Sequence, residues 1–132
     1  MRKFKNSSID VSFNITYRNN EILVDVILKN KSGHKLPTGF PSRRIWVHFY
    51  AMNERGDTIF ESGKYDKQGN ILSQTGFELH HDTISNEENV QIYEAVLGNT
   101  LNEVTTILLE ASQYLKDNRI PPIGFVNNQP YD

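Results

Sequence analysis

Two short stretches hold side chains whose types and spacing could do chemistry. The first is Gly33-His34-Lys35-Leu36-Pro37-Thr38-Gly39, a histidine in a loop whose glycines and proline impose a particular backbone path. Ordered loops of this kind carry function more often than the elements they connect. The second is Glu78-Leu79-His80-His81-Asp82, with Glu87-Glu88 downstream. Imidazole and carboxylate together are ligand types for zinc, copper, nickel or iron. Neighbours in an extended chain point to opposite sides, so His80 and His81 are badly placed to share one ion. A divalent metal centre would have to join one of them to Asp82, or to His34 from the first loop. The plain alternative is that these histidines bond neighbouring carbonyls and that Asp82 serves a turn.

Other candidate chemistry is weaker. Asp66-Lys67-Gln68-Gly69-Asn70 has the oxygen-rich look of a calcium loop but lacks the alternating acids and the distal glutamate, and reads as a glycine turn. No serine stands in a nucleophile-elbow context, and no glycine-rich phosphate loop leads into a helix. Glu87-Glu88 lies in a polar stretch, where a solvated face is the simpler reading than acid–base work. The chain is therefore expected not to be an enzyme, and no residue is assigned as catalytic.

These loops must be positioned by strands. Ile9-Asp10-Val11-Ser12-Phe13-Asn14-Ile15-Thr16-Tyr17 alternates apolar and polar without a break, the pattern of a strand with one buried face. Arg18-Asn19-Asn20-Glu21 is a tight turn, and Ile22 to Lys29 returns as a second strand, apolar on both faces except at Asp25 and so expected to lie centrally. A third strand is expected from about Arg43 to Met52, with Ile45, Val47, Phe49 and Ala51 on one face and Trp46, His48 and Tyr50 on the other. Asn53 to Asp57 turns into a fourth from Thr58 to Glu61. A short strand near Asn70 to Ser73 and a longer one over Asn89 to Leu97 follow. Val104 to Tyr114 begins β-branched and is expected to be a strand ending in a bend near Ser112, with a helix as the alternative. Pro121-Pro122 closes regular structure. The expectation is an all-β protein, an antiparallel immunoglobulin-like β-sandwich of about six to eight strands, forming one domain over residues 1–132 with loose termini at 1–7 and 127–132.

Composition sets the outer limits. The 132 residues include no cysteine, which removes disulfides, thiolate metal sites and thioether-linked haem. Apolar residues make up 37% and charged residues 23%, ordinary for a folded domain. The net charge of −2 argues against nucleic acid as a partner, and the basic run Met1-Arg2-Lys3-Phe4-Lys5 reads as a frayed terminus. No stretch approaches the roughly 18 apolar residues of a membrane helix, and the basic start lacks the apolar run of a signal peptide.

The run Gly33-His34-Lys35-Leu36-Pro37-Thr38-Gly39-Phe40-Pro41-Ser42-Arg43-Arg44-Ile45-Trp46-Val47 resembles the non-haem C-terminal β domain of certain multihaem c-type cytochromes. Three later runs resemble the same family in the same order. They are Phe60-Glu61-Ser62-Gly63, then His80-His81-Asp82 leading to Val90-Gln91-Ile92-Tyr93-Glu94, and Tyr114 to Phe125. The resemblance implies an exported electron-transfer protein, periplasmic or extracellular, whose haems occupy a separate Cys-x-x-Cys-His domain. This chain has no such motif, so it holds no covalent haem. It would be a domain of a larger cytochrome or a stand-alone relative without the haem part. The resemblance further implies that the His34 loop and the His80-His81-Asp82 loop face a haem-bearing domain or cytochrome partner, with Arg43 and Arg44 pairing with its propionates; ordinary strand-edge charge is the alternative for the arginines. The alternative is a metal- or small-ligand-binding sandwich, carbohydrate included. It would use His34, His80, His81 and Asp82 as ligands, with Trp46 or Tyr93 lining a pocket.

Overall fold

The computed structural model describes residues 8–74 and 76–126. The expectations for the basic start and for the loose termini lie outside the described residues. Seven strands follow in order: β1 Ile9–Arg18, β2 Glu21–Asn30, β3 Arg44–Trp46, β4 Phe49–Met52, β5 Thr58–Ser62, β6 Ile92–Gly98 and β7 Gln113–Asp117. The protein is all-β, and every strand pairing is antiparallel. The strands make three small sheets, β1-β2, β3-β6-β7 and β4-β5. Two compact units divide the chain between Thr38 and Gly39 and again between Asn118 and Arg119.

The first unit contains the β1-β2 hairpin and the segment from Arg119. Asn19 and Asn20 both adopt positive φ (44° and 69°), as the two central residues of a type I′ turn require. In the resulting register Val11 faces Leu28, Phe13 faces Val26, Ile15 faces Val24 and Tyr17 faces Ile22. Directly opposed residues share a face, so one side of the ribbon is apolar from end to end. The alternation thus places the side chains as expected, but Val11, Phe13, Ile15 and Tyr17 are exposed. β2 is likewise not central: among the described residues its strand partner is β1 alone. The hairpin is tied down at its end by isolated bridges from Asn30 to Pro122 and from Leu36 to Ile120. Ile120 is buried there.

The second unit has its core where Ile71, Val90 and Ile92 meet, with Trp46 packed against them. The expected third strand is broken in two. Arg44, Ile45 and Trp46 pair with Glu94, Tyr93 and Ile92 of β6, whereas Phe49 to Met52 pairs with β5. The break has a local cause. Val47 still donates to the Gln91 carbonyl at 3.0 Å, and Gly63 then presses so close to the Val47 carbonyl that no Cβ fits there. The chain crosses between sheets over that glycine.

Two further expectations are corrected. Asn70 to Ser73 contributes only a single bridge, between Ile71 and Tyr65. Val104 to Ser112 is neither strand nor helix; the strand begins at Gln113. Side chains there compete for the backbone: Asn99 Oδ1 accepts the Leu101 and Glu103 amides at 2.9 and 3.0 Å, and Thr105 Oγ1 accepts that of Ile107 at 3.1 Å. No described helix is long and apolar enough to cross a membrane.

Candidate functional site

The His34 loop in the first unit is organised by Asn30, which is 1% exposed. Its Nδ2 donates to the His34 carbonyl at 2.7 Å and to the Ile120 carbonyl at 2.9 Å. Its Oδ1 accepts from the amide and the hydroxyl of Ser32, at 2.9 and 2.7 Å. The side chain thereby uses its full donor and acceptor capacity, three bonds within the loop and one to Ile120. The His34 ring itself is exposed, with Nδ1 lying 3.2 Å from the Lys35 carbonyl and 3.4 Å from Ser32 Oγ. A cis peptide joins Leu36 to Pro37.

Arg43 and Arg44 belong to the second unit, on the approach to β3 and at its start. The Arg43 guanidinium lies over Gly39, where an added Cβ would come 3.1 Å from Nη1. Arg44 Nη1 donates to Gln74 Oε1 at 2.6 Å. Both residues are exposed.

The 78–82 loop is held by three side chains: Gln91 just before β6, Lys116 on β7 and Asn118 just after it. Lys116, buried on β7, donates to the Glu78 carbonyl at 2.7 Å and pairs with Glu94 Oε1 at 3.0 Å. Gln91 Oε1 accepts the His81 amide at 2.7 Å, which fixes the orientation of its amide group. Its Nε2 then points at His80 Nδ1, 2.7 Å away. Asn118 is oriented in the same manner: its Oδ1 accepts the Glu94 amide at 2.9 Å, and its Nδ2 stands 3.0 Å from His80 Nδ1.

Two amide nitrogens can only donate, so Nδ1 of His80 is an acceptor and the proton of the neutral ring sits on Nε2. That nitrogen lies 3.4 Å from Asp82 Oδ1. The Tyr93 ring rests edge-on against the imidazole, with centroids 6.2 Å apart.

His81 turns the other way, as the extended chain requires, and its Nε2 meets Glu78 Oε1 at 2.8 Å. The structure therefore joins His80 to Asp82 and His81 to Glu78 as separate pairs. Among the described residues no three histidine, aspartate or glutamate side chains come together as a metal-ligand group. A metal on Nε2 of His80 would further require the proton on Nδ1, which the Gln91 and Asn118 amides oppose.

Residues that the sequence reading did not single out complete this region. Gln91, Asn118, Lys116 and Asn30 orient the two loops, yet each looks like an ordinary strand or turn residue in sequence. Only their burial and long-range partners reveal the role. Glu61 likewise gains a place: it accepts from His48 Nε2 at 3.0 Å and from Lys64 Nζ at 3.1 Å. The His48 hydrogen bond, then that of Lys64, holds its carboxyl below the usual range. Beside it lies a cleft of about 580 Å³ bounded by Glu61, Lys64, Glu78 and Glu87. No protein-family model, no curated protein and no solved structure matches this chain.

Proposed function

We propose that this chain is a non-catalytic β module of a multihaem cytochrome-type electron-transfer protein, exported in its parent. It packs against a haem-bearing domain or partner and carries no covalent haem of its own. The sequence resemblance supplies the class of partner. The observation that carries the non-catalytic part is His80, whose Nδ1 accepts from two amides oriented by backbone bonds. An imidazole committed in this way is a contact and shaping group, with no free lone pair for use as a base. The His34 loop is held to a similar standard by Asn30. In each unit, an ordered loop with spent polar groups suits recognition better than a reaction centre. On this reading exposed Arg43 and Arg44 meet haem propionates, since the guanidinium fork matches a carboxylate.

The test has two arms. The metal-stripped protein is heated with zinc, copper, nickel or free haem, where no saturable rise in Tm is expected. The tagged chain is then used to capture partners from a periplasmic extract, with identification by Soret absorbance and Cys-x-x-Cys-His peptides. A captured multihaem cytochrome, lost with Arg43→Ala/Arg44→Ala, supports the module. A metal-induced rise abolished by His34→Ala or His81→Ala sinks it and makes the loops a metal site. A second reading, a small-ligand-binding β protein, is favoured by one observation: Glu61, which lines the glutamate-rich cleft, faces the exposed Tyr50 across the β4-β5 ladder.

A further inference from the structure

Trp46, His48 and Tyr50 alternate along the chain and share a direction despite the break between β3 and β4. Tyr65 comes back from the loop after β5 and sets its ring perpendicular to two of them. Its centroid lies 5.7 Å from Trp46 and 5.4 Å from His48, and His48 lies 5.5 Å from Tyr50. The four rings form a continuous row. Trp46 is its inner end, half-buried against the core, with Nε1 donating to the Gly63 carbonyl at 3.1 Å. The outer rings, Tyr50 and Tyr65, are 54% and 51% exposed.

Glu61 stands where this row meets the cleft. It faces Tyr50 across the β4-β5 ladder, and it lines the cleft together with Lys64, Glu78 and Glu87. The carboxylate is held in place by His48 on one oxygen and Lys64 on the other, which leaves further lone pairs for an incoming donor. The site thus combines two half-exposed tyrosine rings with a wall made mainly of hydrogen-bond acceptors. Its volume falls in the range of small-molecule sites.

A ligand suited to this site needs a flat C–H face for the rings and several hydroxyl donors for the carboxylates. We infer that this face of the second unit binds a neutral oligosaccharide, different sugar rings of one chain lying on Tyr50 and on Tyr65, with hydroxyls bonded to Glu61 and the cleft glutamates. An apolar protein surface would strip water from Glu61 and Lys64 without replacing its hydrogen bonds. A nucleic acid would bring phosphates toward Glu61, Glu87 and Glu88. The site is independent of the cytochrome reading, and either stands without the other.

The test titrates the full chain with cello-, xylo-, manno-, malto- and chito-hexaose, read by calorimetry and by the emission of Trp46, the sole tryptophan. Saturable binding of at least one is expected, with a change in Trp46 emission. Tyr50→Ala and Tyr65→Ala should weaken it by about tenfold each, in keeping with the loss of a stacked ring, while Tyr50→Phe retains it. Tyr50 is exposed and outside the core, so its alanine variant keeps the fold, which circular dichroism checks. No binding of any of these sugars at millimolar concentration overturns the inference, and so does binding that Tyr50→Ala leaves unchanged.

Discussion

Gln91 holds two successive histidines with the two ends of one amide. Its oxygen accepts the His81 backbone N–H at 2.7 Å, and its nitrogen donates to the His80 ring at the same distance. The first bond decides the second, because an amide oriented by a backbone donor has only N–H groups left to offer. Nitrogen-15 NMR should find neutral His80 protonated at Nε2. Gln91→Met removes both bonds at similar volume and should cost about 1–3 kcal/mol, since a partly buried backbone N–H loses its acceptor. A His80 ring that shows mainly the Nδ1–H tautomer in the native protein would falsify the assignment.

Lys116 is the buried cation that ties β7 to β6 and to the 78–82 loop. Its ion pair with Glu94 leaves the two side chains 6% and 12% exposed. Lys116→Met should destabilise by about 3–5 kcal/mol, because Glu94 is left charged and unpaired in a dry site. Lys116→Met/Glu94→Leu should recover a large part of that loss. Urea unfolding curves of the two variants decide the matter, and a double variant less stable than the single one contradicts it.

Asn30→Ala should cost about 2–4 kcal/mol, more than an ordinary surface asparagine. The change leaves the Ser32 amide without its acceptor and takes one of two donors from each of the His34 and Ile120 carbonyls. Faster amide exchange should be confined to the 31–36 loop and the residues near Ile120. Unchanged exchange there would show that Asn30 does not organise the loop.

Two glycines with the same backbone angle make a controlled comparison. Gly56 and Gly63 have φ of 87° and 77°, yet a Cβ at Gly56 enters open space while one at Gly63 meets the Val47 carbonyl. Gly56→Ala should cost about 1 kcal/mol, the price of a left-handed backbone alone. Gly63→Ala should cost well over 2 kcal/mol and shift Trp46 emission, because Trp46 Nε1 bonds the Gly63 carbonyl. Equal penalties at the two sites would show that the crossover is not held by this contact.

Acid should loosen the β4-β5 sheet through Glu61. Its carboxyl is held below its ordinary value by His48 and then Lys64. A carboxylate with a depressed folded-state pKa contributes stability that is present above its unfolded pKa and lost as pH falls through the folded one. Melting curves from pH 6 to 3 should therefore fall less steeply for Glu61→Gln than for the parent chain. Parallel curves would assign the acid sensitivity to other groups.

Local sequence signals were strong where a single stretch decides the outcome. Asn19-Asn20 between an alternating run and a mostly apolar one specifies the first hairpin and its register, and the Asn53–Asp57 turn does so for β4-β5. The signals failed where a distant residue intervenes. Nothing in Arg43 to Met52 announces that Gly63 will split the run between two sheets. The apolar richness of Val104 to Leu109 points to regular structure, while Thr105 captures the Ile107 amide that such structure would need. The opposite orientations of His80 and His81 were legible from chain geometry. The amides that hold His80 were not, since Gln91 and Asn118 are separated from it by 11 and 38 residues.

The first hairpin and its anchor are made at different moments in the life of the chain. Every pair in β1-β2 is local, and a hairpin forms in about 1–10 μs once its strands are available. The Asn30 bond to Ile120 spans 90 residues. At ribosomal speeds of 5–20 residues per second, that distance amounts to roughly 5–18 s of synthesis. For those seconds the ribbon presents Phe13, Ile15 and Tyr17 to the cell without the strap that later fastens its end. The nascent chain thus passes through a stage at which a chaperone has an apolar, uncharged strip to hold.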